Sequence, residues 1–171
     1  MKNAMIPDEF QDCTFENYKV TNRLQNNMKL AMLDYLQRFD EIKDSTENSF
    51  GFIAVFGEKR LKEIQSTQKR AELKRKHNNF GLGKTHLQVA AAKELIKRGY
   101  QTLIISDVMF MEELSQARAI DDEGEQLNKL LGSVIHVPAL VWDDIGKAKT
   151  SEFRLGMYYH IINERYRNRR P

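Results

Sequence analysis

One short glycine-rich segment has the residue types and spacing that bind phosphate. Its residues are Gly81, Leu82, Gly83, Lys84, Thr85 and His86, and a stretch with helical periodicity follows. Glycines let the backbone turn so that successive N–H groups point at one anion, and a helix N-terminus adds partial positive charge. In such a loop Lys84 would contact the β- and γ-phosphates of a nucleotide, and the Thr85 hydroxyl would ligate Mg²⁺. The alternatives are an ordinary glycine-rich turn and, for His86, a packing or surface role.

The full motif G-x-x-x-x-G-K-[ST] requires glycine at position 78, where this chain has Asn78. Asparagine adopts left-handed backbone angles more readily than most residues, so Asn78 is one candidate for that position. A second alignment fits better, because joining Gly57 to Asn79 gives the complete sequence G-N-F-G-L-G-K-T. On this alignment Gly57, Asn79 and Phe80 belong to the nucleotide-binding loop, and residues 58–78 are an insertion inside it.

The 58–78 insertion carries the basicity of the chain. It contains eight Lys or Arg and three Glu, a net charge of +5, so the rest sums to −2 in a chain of net charge +3. Two interpretations stay open: a solvated helix face, or a basic arm that contacts nucleic acid or screens the nucleotide. A second basic cluster is interpreted as a DNA-facing edge or a solvated surface. It consists of Arg165, Arg167, Arg169 and Arg170.

A pair of carboxylates follows an apolar run that is the third predicted strand. Residues 139–142 have strand composition, and Asp143 and Asp144 come directly after them. In nucleotide-hydrolysing α/β domains the first such acid holds Mg²⁺ through water, and the second orients or deprotonates the attacking water. Both tasks need carboxylate oxygens at the carboxyl edge of the sheet. Alone, the pair could be a turn with a helix cap; with the phosphate loop upstream, it predicts a nucleotide site. Lys84 and Asp144 are then the candidate catalytic residues, and Thr85 and Asp143 the candidate magnesium ligands.

The elements that must position these groups alternate between strand and helix. Strands are predicted over 51–56, 101–106 and 139–142, and helices over 21–42, 58–77, 84–98 and 150–168, with a helix around Met109 and a short one ending at Leu131. Thr21 is the predicted N-cap of the first helix, and Gly99 the residue that stops the 84–98 helix. This alternation favours an α/β fold with a parallel sheet.

Composition narrows the class of protein. A length of 171 residues fits one domain. No apolar run approaches the ~20 residues of a membrane-spanning helix, and residues 1–8 contain no apolar stretch typical of a secretion signal. The single cysteine, Cys13, cannot form an internal disulfide and fits a reducing compartment. These observations predict a cytoplasmic protein and argue against membrane, secreted and fibrous classes.

A wider set of motifs resembles one family. The motifs are Ile6-Pro7-x-x-Phe10, Thr14-Phe15-Glu16-Asn17-Tyr18, GLGKTHL, VWDDIG and Ile161–Tyr166 (IINERY). Together they resemble the bacterial and phage helicase-loader ATPases of the DnaC/DnaI type and the related IstB-like transposition helpers, over nearly the whole chain. The resemblance implies an AAA+ P-loop NTPase fold that binds ATP and Mg²⁺. It gives Lys84, Thr85, Asp143 and Asp144 the same roles as the motifs do.

The chain also departs from that family. Many members have glutamate at the position of Asp144, which is one methylene shorter. The chain ends at Pro171, whereas the family continues with a sensor strand, an arginine finger and a helical lid. We therefore expect a C-terminally truncated or split protein, marginally stable alone and poor at hydrolysis. It would consist of a lead-in and helix over 1–49 and a partial AAA+ core over 50–171.

The resemblance implies a role in DNA replication. An ATP-binding helicase loader of prophage origin would place a replicative DNA helicase on single-stranded DNA, as a homo-oligomer and without a membrane partner. One alternative is a transposition-helper ATPase. Another, from a different class, is a non-catalytic nucleotide-binding adaptor or prophage remnant, and the sequence leaves open whether ATP is hydrolysed.

Overall fold

The computed structural model describes residues 8–53, 61, 63–76 and 81–171. After a 3₁₀ turn at Asp8–Phe10, the helices are α1 (Arg23–Ile42), α2 (Thr67–Lys76), α3 (Lys84–Lys97), α4 (Asp107–Arg118), α5 (Glu125–His136) and α6 (Glu152–Arg167). The strands are β1 (Thr102–Ser106) and β2 (Ala139–Asp143).

The two strands form a parallel pair, in which Thr102 lies opposite Ala139 and Ser106 opposite Asp143. Parallel neighbours need a crossover connection, which α4 and α5 provide here. Because both strands run the same way, the residues that follow them meet at one edge of the sheet. The predicted α/β fold with a parallel sheet flanked by helices is confirmed.

Helices cover both faces of this strand pair. Ile104 and Val141 belong to a cluster with Val89 and Ala92 of α3, and α1 packs against α3 in a second cluster that includes Ala139 of β2. Alternate strand residues face the opposite way, as the two-residue period of a strand requires. These residues pack with α4, α5 and α6, and they are Leu103, Ile105, Leu140 and Trp142. Among the described residues, no helix is both long and apolar enough to cross a membrane.

Two helix boundaries differ from the sequence prediction. The N-cap of α1 is Asn22, whose Oδ1 accepts the Gln25 backbone N–H at 2.9 Å. Thr21 lies one position earlier and donates its hydroxyl to the Gln25 side chain at 2.7 Å. Helix α5 continues to His136 instead of ending at Leu131. Its last turn buries Val134 and Ile135, so tertiary packing outweighs the low helix propensity of the glycine at 132.

The predicted continuous helix over 58–77 is wrong in its described part. Leu61 and Glu63 are helical, residues 64–66 are not, and α2 begins afterwards. The break is stabilised because Arg70 donates two hydrogen bonds to the Ile64 carbonyl, at 2.7 and 3.1 Å, and the Ser66 hydroxyl accepts the Lys69 N–H at 3.3 Å. The predicted strand over 51–56 is not formed at 51–53, and its remainder lies outside the described residues.

Candidate functional site

The loop before α3 has the backbone geometry expected of an anion cradle. Gly81 has φ +66° and Gly83 has φ +74°, both in the left-handed region that favours glycine. Gly83 is the N-cap of α3, and it has no side chain that could occupy the positive end of the helix. Lys84 is the first residue of the helix and is half-buried. The other predicted loop residues, Gly57, Asn79 and Phe80, lie outside the described part of the chain.

The N-terminal segment holds this loop from one side. The buried Tyr18 donates its hydroxyl to the Leu82 carbonyl at 2.6 Å, across 64 positions of sequence. A methyl group on Gly83 would lie 2.7 Å from Cε2 of the Tyr18 ring. His86 packs edge-on against the same ring at 5.3 Å between centroids, and its Nε2 lies 2.8 Å from the Thr14 carbonyl oxygen. The structure thus places His86 against the N-terminal segment, while its predicted nucleotide contact stays a prediction.

The two motifs meet in space at Thr85 and Asp143. The Thr85 hydroxyl, in the first turn of α3, donates to Asp143 Oδ2 at 2.8 Å. Two hard oxygen atoms at this separation form a donor set that fits Mg²⁺, and metal binding would replace their shared hydrogen bond. Asp143 is the last residue of β2, so the carboxyl edge of the sheet supplies one oxygen and the helix N-terminus the other.

The two carboxylates of the pair differ in burial and in their hydrogen-bond partners. Burial raises the pKa of Asp143; the Thr85 hydrogen bond opposes this shift and the neighbouring Asp144 charge adds to it. Asp144 is exposed, and its Oδ2 accepts a hydrogen bond from Lys147 Nζ at 2.6 Å. Its backbone has φ +57°, which is uncommon for a residue other than glycine. Asp143 therefore lies at the candidate metal position, and Asp144 lies in a tight turn beyond it.

Replacing Asp143 with asparagine should separate metal binding from stability. Because its pKa is raised in the folded protein, the group costs stability as the pH rises from about 4 through its folded pKa, and that cost persists at pH 7. The amide oxygen of asparagine still accepts the Thr85 hydrogen bond. We expect Asp143→Asn to leave the urea midpoint unchanged or raised at pH 7 and to weaken Mg²⁺-dependent nucleotide binding about tenfold or more. A lowered midpoint at pH 7 would contradict this account.

The C-terminal basic cluster does not act as one surface. Arg165 is buried, 6% exposed, and donates to the Val134 carbonyl at 2.7 Å and the Val137 carbonyl at 2.9 Å. The interpretation of Arg165 as solvated or DNA-facing is therefore wrong, because its guanidinium satisfies carbonyls at the end of α5. Arg167 and Arg169 are exposed, which leaves both interpretations open for them.

Comparison with known proteins identifies the family. The sequence profile described as "IstB-like ATP binding protein" matches residues 15–170. The chain belongs to this family. The resemblance drawn from the motifs is thereby confirmed, and membership in an ATP-binding family supports a nucleotide as the ligand.

Relatives of this IstB-like chain come from replication, insertion elements and phage. It is 29% identical to the replicative helicase loader DnaC of Escherichia coli (strain K12) over 161 residues, which cover 94% of this chain and 54% of that protein. It is 28% identical to the insertion sequence IS5376 putative ATP-binding protein of Geobacillus stearothermophilus over 153 residues, 86% of this chain and 56% of that protein. It is 27% identical to the phage-like element PBSX protein XkdC of Bacillus subtilis (strain 168) over 143 residues, 81% of this chain and 43% of that protein. The chain spans about half the length of the curated relatives it matches.

Two residues of this IstB-like protein near the site were not predicted from the sequence: Tyr18, which contacts the loop, and Asp107, which accepts a hydrogen bond from Trp142 beside the acidic pair. Nothing in the spacing links Tyr18 to the loop. Asp107 had a usable signal, because it directly follows β1 just as Asp144 directly follows β2. A carboxylate at the end of each of two neighbouring parallel strands is expected at one edge of the sheet.

Proposed function

We propose that this chain binds ATP with Mg²⁺ at the 81–86 loop and couples that binding to placing a replicative DNA helicase on single-stranded DNA. The observation that carries the proposal is the 2.8 Å contact between Thr85 Oγ1 and Asp143 Oδ2, which joins the phosphate loop to the acidic strand end. A glycine-rich turn or a strand-end turn alone would not require this contact.

Each part of the site has a distinct task in this proposal. The Gly81 and Gly83 backbone and the start of α3 receive the phosphates, together with Gly57, Asn79 and Phe80. Lys84 contacts the β- and γ-phosphates, and Thr85 and Asp143 hold the metal. Mg²⁺ supplies positive charge that neutralises the phosphates. In this proposal Asp144 orients or deprotonates the attacking water.

The proposed role in helicase loading is supported by the relatives of the chain and not by the geometry of the site. The similarity to a replicative helicase loader covers 94% of this chain, which favours a helicase partner. Single-stranded DNA and a homo-oligomer belong to the proposal through the family resemblance of the motifs. Similarity to an insertion-sequence ATP-binding protein favours a second candidate, a transposition helper. The Lys147–Asp144 ion pair favours a third, a nucleotide-binding adaptor without turnover, because Lys147 engages the carboxylate that would handle water.

Lys84→Ala tests nucleotide binding. Removing a charge-assisted contact to phosphate should weaken MgATP binding by about 100-fold, measured by isothermal titration calorimetry. Lys97→Ala is the matched control, because Lys97 lies on the same helix and its side chain is 75% exposed. Equal affinities of the two variants would contradict binding at this loop.

Pull-down experiments test whether the chain acts with a replicative helicase or with a transposase. Pull-down with a replicative helicase, in parallel with a transposase, should retain the chain on the helicase when MgATP is present. If Lys84→Ala keeps full function in a helicase-loading assay, the adaptor candidate replaces the ATPase. Retention on the transposase alone would favour the transposition helper.

A further inference from the structure

One carboxylate outside the predicted site is fully buried directly after β1. Asp107 is 0% exposed, and its Oδ1 accepts hydrogen bonds from Trp142 Nε1 at 3.0 Å and the Tyr158 hydroxyl at 2.8 Å. Its Oδ2 accepts the Ala148 backbone N–H at 2.8 Å and the same Tyr158 hydroxyl at 2.7 Å. Three neutral donors, two from the two ends of the 142–148 segment and one from α6, thus converge on one side chain.

Two of these donors bracket the acidic pair. Trp142 immediately precedes Asp143, and Ala148 immediately follows the turn that begins at Asp144. This turn is closed by a hydrogen bond from the Lys147 N–H to the Asp144 carbonyl at 3.1 Å, and Asp144 holds the uncommon φ of +57°. A left-handed residue other than glycine persists where its surroundings determine its conformation. Asp107 supplies a fixed point on each side of it.

We propose that Asp107 is a positioning residue for the acidic pair: by binding Trp142 and Ala148 it fixes both ends of the 142–148 segment, so that Asp143 meets Thr85 and Asp144 keeps its turn. This inference rests on the proposed function, in which the pair serves a Mg²⁺–nucleotide complex. Groups that orient metal ligands from outside the coordination shell commonly change metal affinity when they are replaced.

The third donor provides a matched control. Tyr158 lies on α6, outside the 142–148 segment; its hydroxyl donates to both Asp107 oxygens, and its ring stacks on Trp142 at 5.5 Å between centroids. Tyr158→Phe removes that hydroxyl and leaves the Trp142 and Ala148 bonds in place. Asp107→Asn directs an NH₂ group at N–H and O–H donors and therefore must release at least one bracketing bond. Both variants remove buried hydrogen bonds, but only Asp107→Asn loosens the segment that carries Asp143 and Asp144.

The test measures nucleotide affinity of the full chain with Mg²⁺ and with EDTA, using a fluorescent ATP analogue. In Asp107→Asn, the affinity gained from Mg²⁺ should fall about 10-fold or more, as in Asp143→Asn, while affinity in EDTA stays within about twofold. Tyr158→Phe should lower the urea midpoint and keep the full gain from Mg²⁺. If both variants lose stability and both keep the gain, Asp107 is only structural and the proposal is overturned.

A second readout does not depend on nucleotide binding. Amide hydrogen exchange at Ala148 should accelerate in Asp107→Asn beyond what its loss of global stability explains, and in Tyr158→Phe it should follow global stability. If Asp107→Asn does not fold, Trp142→Phe removes one bracketing donor and should accelerate the same amide. If the wild type binds no nucleotide, the proposed function fails, and amide exchange alone tests the positioning role of Asp107. An unchanged Ala148 exchange rate in Asp107→Asn would overturn that role, and an accelerated rate would support it.

Discussion

Gly83→Ala should destabilise the protein by about 3 kcal/mol and abolish nucleotide binding, whereas Gly81→Ala should cost only about 1 kcal/mol. Both glycines have positive φ, so alanine introduces similar backbone strain at each. They differ in their surroundings: an added Cβ meets nothing within 4 Å at Gly81 but lies 2.7 Å from the Tyr18 ring at Gly83. The ring is buried, so relieving the clash breaks its hydrogen bond to the Leu82 carbonyl.

Urea unfolding of the two single variants measures this difference, and calorimetric titration with MgATP measures its effect on binding. A double variant shows whether the clash is the cause. In a Tyr18→Ala background the ring is absent, so Gly83→Ala should cost no more than the backbone strain that Gly81→Ala reveals. Equal losses from Gly81→Ala and Gly83→Ala in the wild-type background would show that Tyr18 does not constrain the loop.

Local features of the fold were predictable because they depend on neighbouring residues. Helix α3 begins at Lys84, directly after the glycine-rich loop, and it stops where predicted, with Gly99 at φ +92°. The Gly99 N–H donates to the Ile96 carbonyl and the Tyr100 N–H to the Leu95 carbonyl, the pattern of a glycine-terminated helix. Capping and periodicity act within a few positions, so a single sequence displays them.

The supports of the candidate site were not predictable, because they join residues distant in sequence. Tyr18 reaches Leu82 across 64 positions, and Asp107 reaches Tyr158 across 51. Neither contact leaves a periodic trace, since each depends on how helices pack against the strands. The Thr85–Asp143 contact, across 58 positions, was expected only because both motifs point to the same nucleotide. A shared role in binding Mg²⁺ and nucleotide linked Thr85 to Asp143, whereas no shared role linked Tyr18 to Leu82 or Asp107 to Tyr158.

Arg165→Ala should cost about 3 kcal/mol of unfolding free energy, because it leaves buried carbonyls without a donor at the end of α5. The Arg165 guanidinium donates to Val134, Val137 and Pro171, and a cation there also complements the helix dipole. Burial lowers its pKa to about 10, so the side chain stays charged, and the loss should be constant between pH 6 and 9.

Urea unfolding at pH 6, 7.5 and 9 tests this expectation against two further variants. Arg167→Ala is the matched control: it lies two positions away, its side chain is 69% exposed, and its pairing with Glu164 at 3.5 Å should contribute less than about 0.5 kcal/mol. Arg165→Lys keeps the charge but lacks the planar fork that reaches several carbonyls at once, so its loss should be intermediate. Equal losses of unfolding free energy for Arg165→Ala and Arg167→Ala would support the interpretation of the cluster as a solvated surface. The expected order instead makes this arginine a structural link between α5 and α6, the helix that also carries Tyr158 to Asp107.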